Sequence, residues 1–190
     1  MKTEAATSSI KNETIENPLI GDKVTFLKTA AQTNGAYSEV LVTLMPGGGN
    51  NYHYHTAFSE TFIPVEGALT VGLHKTMRQV LPGEFATVKP KESHYFANKT
   101  NSIIRFKVKL SPGSSGFEEG LRIAYGLARD GKTNKKGIPK KLSHLAIIIC
   151  HTDTNMYGIF TFIAPLLQRI YKRAKRKGVL RKLQLAYCCK

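Results

Sequence analysis

Short apolar runs separated by turn residues fill residues 23–110, and this pattern constrains the fold more than any other feature of the chain. The runs are rich in β-branched and aromatic residues, which favour strands. Asn34-Gly35, Pro46-Gly47 and Pro82-Gly83 stand between them and supply the backbone conformations that tight reversals need. The pattern predicts an antiparallel barrel or sandwich. We predict strands at 24–29, 37–45, 51–55, 61–65, 68–73, 76–81, 84–88, 94–97 and 102–110.

The pattern changes at residues 111–116, a stretch of Ser, Pro and Gly that is typical of a linker. Beyond it, residues 117–129 carry apolar side chains three and four positions apart, which predicts an amphipathic helix capped near Ser114 or Ser115. We predict further helices at 142–150, 156–163 and 166–177, with Pro165 in the first turn of the last one and Gly178 at its end.

These boundaries divide the chain into three parts. Residues 1–21 are polar and without periodicity, so we expect a mobile N-terminal arm. Residues 22–112 form the predicted β-domain, and residues 113–190 form a helical, strongly basic extension. The predicted fold class is therefore mainly β, a single antiparallel barrel followed by helices.

The positive charge of the chain is concentrated in this extension. The formal net charge is +15, and residues 111–190 contain 16 Lys or Arg but only 4 Asp or Glu. Residues 166–182 combine such cations with an apolar stripe, so this segment could dock on the rest of the protein, which we favour, or lie on an anionic membrane surface. Nucleic acid is a less favoured partner, because aromatic residues are not interleaved with the charges.

The cysteines and the N-terminus indicate a reducing compartment. Cys150, Cys188 and Cys189 are an odd number without a repeating spacing, which argues against a disulfide framework or a zinc finger. The first seventeen residues lack the apolar core of a signal peptide, and no apolar run is long enough for a membrane span. We therefore expect a cytoplasmic protein.

Four side chains in the β-domain form a candidate metal site. His53 and His55 lie two positions apart, so on a strand both imidazoles would point to the same face. Glu60 is an acidic residue in an otherwise apolar strand region, where a cation would offset the cost of burying it. His94 can return beside them along the path of a barrel. Three imidazoles and a carboxylate suit one divalent ion, and iron, manganese, nickel, zinc and copper all remain candidates.

The spacing of these residues resembles the two motifs of the cupin superfamily. The first motif is matched at every defined position by Gly47, His53, His55, Glu60 and Gly67. The second has the form G-x5-P-x-G-x2-H-x3-N, and Gly83, His94 and Asn98 match it. Its Pro and its second Gly are replaced by Lys89 and Lys91, with Pro90 one place late, which leaves the turn before His94 in doubt.

The resemblance implies a small single-barrel cupin of the jelly-roll type that binds metal through His53, His55, Glu60 and His94. It also implies a small-molecule substrate or ligand and a homodimer. We lean to a metal-dependent enzyme with dioxygenase-like chemistry ahead of isomerase or lyase chemistry; the alternative is a non-catalytic protein that binds a metal or small molecule. Strand alternation puts Phe62 in phase with Glu60 and Phe96 in phase with His94, so both are pocket candidates. Arg105 or Lys107 is a further pocket candidate.

Overall fold

The computed structural model of the chain describes residues 12–74 and 76–189. Within them it contains nine strands and four helices. The strands are β1 (Thr14–Asn17), β2 (Asp22–Lys28), β3 (Ser38–Leu44), β4 (Ser59–Glu66), β5 (Leu69–Leu73), β6 (Thr76–Val80), β7 (Ala86–Val88), β8 (His94–Ala97) and β9 (Ile104–Ser111). The helices are α1 (Ser115–Arg129), α2 (Leu142–His151), α3 (Ile159–Arg176) and α4 (Val179–Tyr187).

The strands form two antiparallel sheets. The larger sheet has the order β1-β2-β3-β9-β4-β7, and the smaller has the order β6-β5-β8. In the larger sheet, residues that alternate along β3 and β9 are buried, and they pair with each other: Val40 with Val108, Val42 with Phe106 and Leu44 with Ile104. This alternation fixes the register, because a slip of one residue would turn every apolar side chain to solvent. The predicted architecture, antiparallel sheets followed by helices, is confirmed.

The structure corrects two strand predictions. Thr14–Asn17 form strand β1, paired with β2, although we expected a mobile arm over residues 1–21. The side chain of Ile15, on this strand, packs in the core. One apolar residue in a polar segment is too short a pattern to predict a strand. Residues 1–11 of the expected arm lie outside the described residues. The strand predicted at 51–55 is a loop that makes only single bridges, His53 with His94 and Tyr54 with Asn155.

Helix α1 follows β9 and packs against the β-domain with one face. Its N-terminal cap is Ser114, whose hydroxyl accepts a hydrogen bond from the backbone N–H of Phe117, in agreement with the prediction. Phe117, Leu121, Ala124 and Tyr125 contact the core of the β-domain. Glu118 is buried and accepts hydrogen bonds from the Ala30 backbone N–H and the Ser38 hydroxyl, both at 2.6 Å. These bonds fix α1 to β3 and to the connection that follows β2.

The other face of α1 belongs to a second core made only of helices. Ile123 and Leu127 are fully buried there, with Ile147 of α2 and residues of α3 and α4. Two glycines allow α2 to approach α1 closely. A Cβ at Gly116 would lie 2.5 Å from the carbonyl oxygen of His151, and one at Gly120 would lie 2.1 Å from the Thr152 side chain. Helix α1 is thus shared between the two cores.

The C-terminal helices differ from the prediction in their boundaries. One helix, α3, covers the two pieces predicted at 156–163 and 166–177, with Pro165 inside it on the exposed side. There the hydrogen bond that proline removes can be replaced by water. Gly178 ends α3 with a positive φ of 71°, and α4, which we did not predict, begins at the next residue. None of the described helices is long and apolar enough to span a membrane.

Candidate metal centre and its cavity

The four predicted ligands converge at one point between the two sheets. His53, His55, Glu60 and His94 each offer a ligand atom, and these atoms lie within 4.8 Å of one another. Glu60 is contributed by β4 of the larger sheet and His94 by β8 of the smaller one. The loop with His53 and His55 reaches them because the backbone N–H and C=O of His53 bond to the backbone of His94 at 2.9 and 2.8 Å.

Each imidazole is oriented by a backbone carbonyl. Nδ1 of His53 lies 2.9 Å from the carbonyl oxygen of Asn51, and Nδ1 of His94 lies 3.0 Å from that of Glu92. Nδ1 of His55 lies 3.0 Å from the carbonyl oxygen of Asp153. Because a carbonyl accepts only, each Nδ1 carries a proton and each Nε2 faces the cluster, where Nε2 of His94 lies 2.7 Å from Oε2 of Glu60. Metal-binding histidines are commonly held in this way.

Charge and burial at the cluster fit a cation. Burial alone would raise the pKa of Glu60, but His55 and His94 beside it lower that pKa below its usual range. Burial also lowers the pKa of His53, to about 4, so this imidazole stays neutral. The buried Nε2 of His55 has no hydrogen-bond partner among the described residues, and Oε2 of Glu60 lies 3.5 Å from it. An ionised carboxylate, a neutral imidazole and an unpartnered nitrogen are what a divalent ion would bind.

The turn before His94 keeps its form despite the lysine in it. Lys91 occupies the glycine position of the second motif, and its φ is 69°, the left-handed conformation that favours glycine. Two bonds hold this backbone: the Lys91 N–H donates to the carbonyl of His55 at 2.6 Å, and the Tyr157 hydroxyl donates to the carbonyl of Lys91 at 2.9 Å. With this departure from the motif, His94 still reaches the cluster.

Sequence reasoning missed a supporting residue, Asp153, in the loop between α2 and α3. Besides its carbonyl contact with His55, its carboxylate accepts hydrogen bonds from the backbone N–H groups of Thr56 and Ala57. A lone Asp in a polar stretch between two apolar segments was the available signal, but nothing local places it next to a histidine 98 positions earlier. Asp153 thus connects the helical region to the candidate metal cluster.

A cavity of about 340 Å³ opens beside the cluster. His53, His55 and Glu60 lie on its wall at one end. Most of the remaining wall is apolar and comes from the larger sheet, from α1 and from the region around the α2–α3 loop: Val24, Val40, Val42, Phe96, Val108, Phe117, Leu121, Ala124, Ile148 and Met156. The size and the character of the wall suit a small organic molecule.

The predicted pocket residues fall in different places. Phe96 lines the cavity, whereas Phe62 is buried in the core, with its ring centroid 6.0 Å from that of His94. The prediction that Arg105 or Lys107 lines the pocket is wrong. On β9 the buried side chains are Ile104, Phe106, Val108 and Leu110, so the two cations point outward and pair with Glu66 and Glu39.

A comparison with protein-family models supports the sequence resemblance. A family model described as a cupin domain matches residues 40–111. Among solved structures, KdgF from Halomonas sp. is 18% identical, with a TM-score of 0.46, over 50% of this chain and 82% of that one. A sugar phosphate isomerase from Silicibacter pomeroyi is 23% identical, with a TM-score of 0.46, over 53% and 71%. An oxalate oxidase in complex with glycolate is 26% identical, with a TM-score of 0.42, over 50% and 54%. A comparison with curated proteins gave no match.

Proposed function

Because residues 40–111 form a cupin-type domain with the predicted jelly-roll fold, we propose that this protein is a metal-dependent enzyme acting on a small organic molecule. Dioxygenase-like chemistry is the first candidate, ahead of isomerase or lyase chemistry. The observation that carries the proposal is the convergence of three imidazoles and a carboxylate beside an apolar cavity, with His53, His55 and Glu60 on its wall. His53, His55, Glu60 and His94 would hold one ion of iron, manganese, nickel, zinc or copper.

The residues around the cluster have distinct roles in this proposal. A bound ion would supply an electrophilic centre that polarises a substrate oxygen or engages dioxygen. The backbone carbonyls of Asn51, Glu92 and Asp153 keep the imidazoles aimed at one point. Val42, Val108 and similar apolar side chains exclude water from the substrate.

Metal analysis of variants tests the proposal. Protein purified without chelators is expected to contain about one metal ion per chain. His53→Ala and His94→Ala are each expected to lose it, because the remaining donors no longer surround a cation. His74→Asn is the matched control, since His74 is exposed, lies outside the cluster and has a positive φ that Asn accepts. Full metal content in both cluster variants would refute the proposal.

Turnover separates the enzyme from the alternative, a non-catalytic protein that binds a metal or small molecule. Oxygen consumption is measured with a panel of small phenols and enols, aerobically, on metal-loaded protein and on His94→Ala. Uptake that depends on His94 supports the dioxygenase. Ligand binding by metal-loaded protein without oxygen uptake or conversion of any compound favours the binding protein.

A second candidate function is attachment to an anionic membrane surface, which is compatible with either alternative. Helix α3 packs against α2 and α4 through buried Leu167 and Ala174, so the segment at 166–182 docks on other helices and leaves its outer face free. On that face Phe162 is 84% exposed. Leu166, Arg169 and Arg173 follow it at spacings of three and four residues, which puts them in line. An exposed aromatic residue above a row of cations matches an anionic lipid surface.

Vesicle sedimentation tests this attachment. The protein is expected to bind vesicles that contain phosphatidylserine and not vesicles of phosphatidylcholine alone. The double variant Arg169→Gln/Arg173→Gln is expected to lose binding, whereas Lys135→Gln/Lys136→Gln, with the same change in charge in the connection between α1 and α2, retains it. Equal loss in both variants would indicate that net charge alone is responsible and would refute a specific surface.

A cytoplasmic location and a homodimer complete the proposal. Leu81 and Phe85 flank the turn between β6 and β7 and are 49% and 64% exposed, which supports an apolar contact between two copies. Sedimentation equilibrium of the wild type and of Phe85→Ser tests the dimer. A wild type that is monomeric at micromolar concentration would refute it.

A further inference from the structure

Two ionisable side chains outside the metal cluster line the same cavity. Asp22 begins β2 and Tyr125 lies on α1, and each is only 6% exposed. The Tyr125 hydroxyl donates a hydrogen bond to Oδ2 of Asp22. Neither residue contributes to the cluster or to the motifs in the sequence. Their pairing in an otherwise apolar part of the wall requires an explanation.

The second carboxylate oxygen of Asp22 has no hydrogen-bond partner in the part of the chain that the structure describes. Oδ1 is buried, and none of the described residues donates a hydrogen bond to it. Burial raises the pKa of Asp22 to about 6, so the carboxylate is held at a cost. Val24 lies two positions further along β2, on the same face of the strand, and also lines the cavity. The Asp22 side chain therefore points to the cavity side of the sheet.

Helix α1 relates this pair to the metal cluster. Near its start, the ring of Phe117 lies 5.9 Å from that of His55, measured between centroids. Tyr125 comes eight residues later, a rise of about 12 Å along a helix. Gly120, Leu121 and Ala124 line the cavity between these two points. The cavity thus runs along α1, with the cluster at one end and Asp22 at the other.

We propose that Asp22 and Tyr125 form a second binding anchor, and that the ligand of this cavity is an elongated, largely apolar molecule presenting a hydroxyl or amino hydrogen to Asp22 Oδ1. This inference deepens the proposed function and rests on it only for the chemistry at the cluster end. It narrows the substrate class to molecules that have a polar group at each end and an apolar body between them.

The chemistry of the pair selects a donor on the ligand. An ionised carboxylate accepts hydrogen bonds and donates none, and the hydroxyl proton of Tyr125 is already used on Oδ2. A ligand hydroxyl or amine would therefore satisfy Oδ1. An ether or methyl group at the same place would leave it unpartnered, and an anionic group would be repelled. A buried acceptor left without a partner is a strong basis for discriminating between similar ligands.

Three probes of nearly the same shape test the inference: 4-propylphenol, 4-propylaniline and 4-propylanisole. Binding is measured by isothermal titration calorimetry, on metal-loaded protein and on protein stripped with a chelator. The phenol or the aniline is expected to bind at least tenfold more tightly than the anisole, and the stronger of the two identifies the donor. In Asp22→Leu the preference is expected to disappear while the anisole still binds.

Asp22→Asn serves as the second variant, because it keeps the shape of the side chain and removes the charge. It is expected to reduce the preference. It is also expected to raise the melting temperature, because the buried carboxylate is held at a cost; removal of a carboxylate with a purely structural role would lower the melting temperature instead. The inference is overturned if the wild type binds none of the probes, if the anisole binds as well as the phenol and aniline, or if Asp22→Leu and Asp22→Asn keep the full preference. Metal content, measured on the same samples, reports on the proposed function separately, because stripped protein tests the Asp22 anchor alone.

Discussion

The orientation of His55 depends on Asp153, so a change there should weaken metal binding without removing any ligand. In Asp153→Ala the loop at Thr56 and Ala57 loses the carboxylate that accepts its two backbone N–H bonds. We expect metal affinity to fall about 10–100-fold, as is typical when a group that orients a ligand is removed. Competition with a chelator of known affinity measures it. Asp153→Asn keeps an acceptor and should lose less, and affinity equal to the wild type in Asp153→Ala would contradict this role.

Asp22 should make the stability of the protein depend on pH. Its pKa rises from 3.8 to about 6 because burial disfavours the charged form. The favourable contribution of the protonated carboxyl is therefore full below about pH 4 and is lost as the pH rises through 6. Tyr125, the titratable group beside it, has a pKa well above 10 and does not titrate in this range.

Comparison with Asp22→Asn isolates this effect. The variant should gain free energy of unfolding relative to the wild type between pH 4 and pH 7.5, by up to about 3 kcal/mol. Urea unfolding at several pH values measures the difference. Parallel profiles for the two proteins would show that Asp22 is not held at a cost in the folded state.

The residues that could be predicted from the sequence are those whose spacing is local. His53, His55 and Glu60 lie within eight positions, and a recognised spacing added His94. Asp22, Tyr125 and Asp153 could not be found in this way, because each acquires its role from a contact with a distant part of the chain. Arg105 and Lys107 were misplaced for a different reason: alternation identifies two faces of a strand, and the apolar neighbours at 104, 106 and 108 should have decided between them.

At the scale of elements, periodicity located most strands and helix α1. It did not predict which elements α1 packs against. A helix with one apolar stripe is expected to cover one core, whereas α1 is buried between two. Its glycines at positions 116, 120 and 126 were the available signal, since small residues on a helix allow a second helix to approach. The strand β1 and the continuous helix α3 were missed because a four-residue strand and an internal proline both oppose local propensity.

The close contact at Gly120 leads to a prediction about the stability of Gly120→Ala. Helix propensity and close packing predict changes of opposite sign. Gly→Ala inside a helix normally stabilises by about 1 kcal/mol. In Gly120→Ala the new Cβ would lie 2.1 Å from the buried Thr152 side chain, so we expect a loss of about 1–3 kcal/mol instead. Denaturant unfolding measures it, with exposed Ser115→Ala in the same helix as control. A more stable Gly120→Ala would mean that α1 and α2 are not packed this closely.

At the scale of the whole molecule, the candidate metal cluster is held by both the β-domain and the helical region. The β-domain supplies Glu60 and His94, the helical region supplies the carbonyl that orients His55, and α1 forms one wall of the cavity. Removing residues 112–190 would therefore remove a wall of the site together with the basic segment. For this reason the membrane attachment is better tested by point variants than by truncation.

Metal removal should consequently loosen the protein on both sides of the cluster. A cation that binds only the folded state adds to its stability, so chelation should lower the melting temperature of the wild type and of His74→Asn but not that of His94→Ala. Without the ion, Glu60 and His55 are less constrained. Because His55 is bonded to Asp153, the α2–α3 loop should become more mobile as well. Hydrogen exchange of backbone amides should therefore speed up at residues 51–57 and also at 152–155. Faster exchange confined to 51–57 would show that the helical region is not coupled to the centre, and an unchanged melting temperature would show that no stabilising metal was bound.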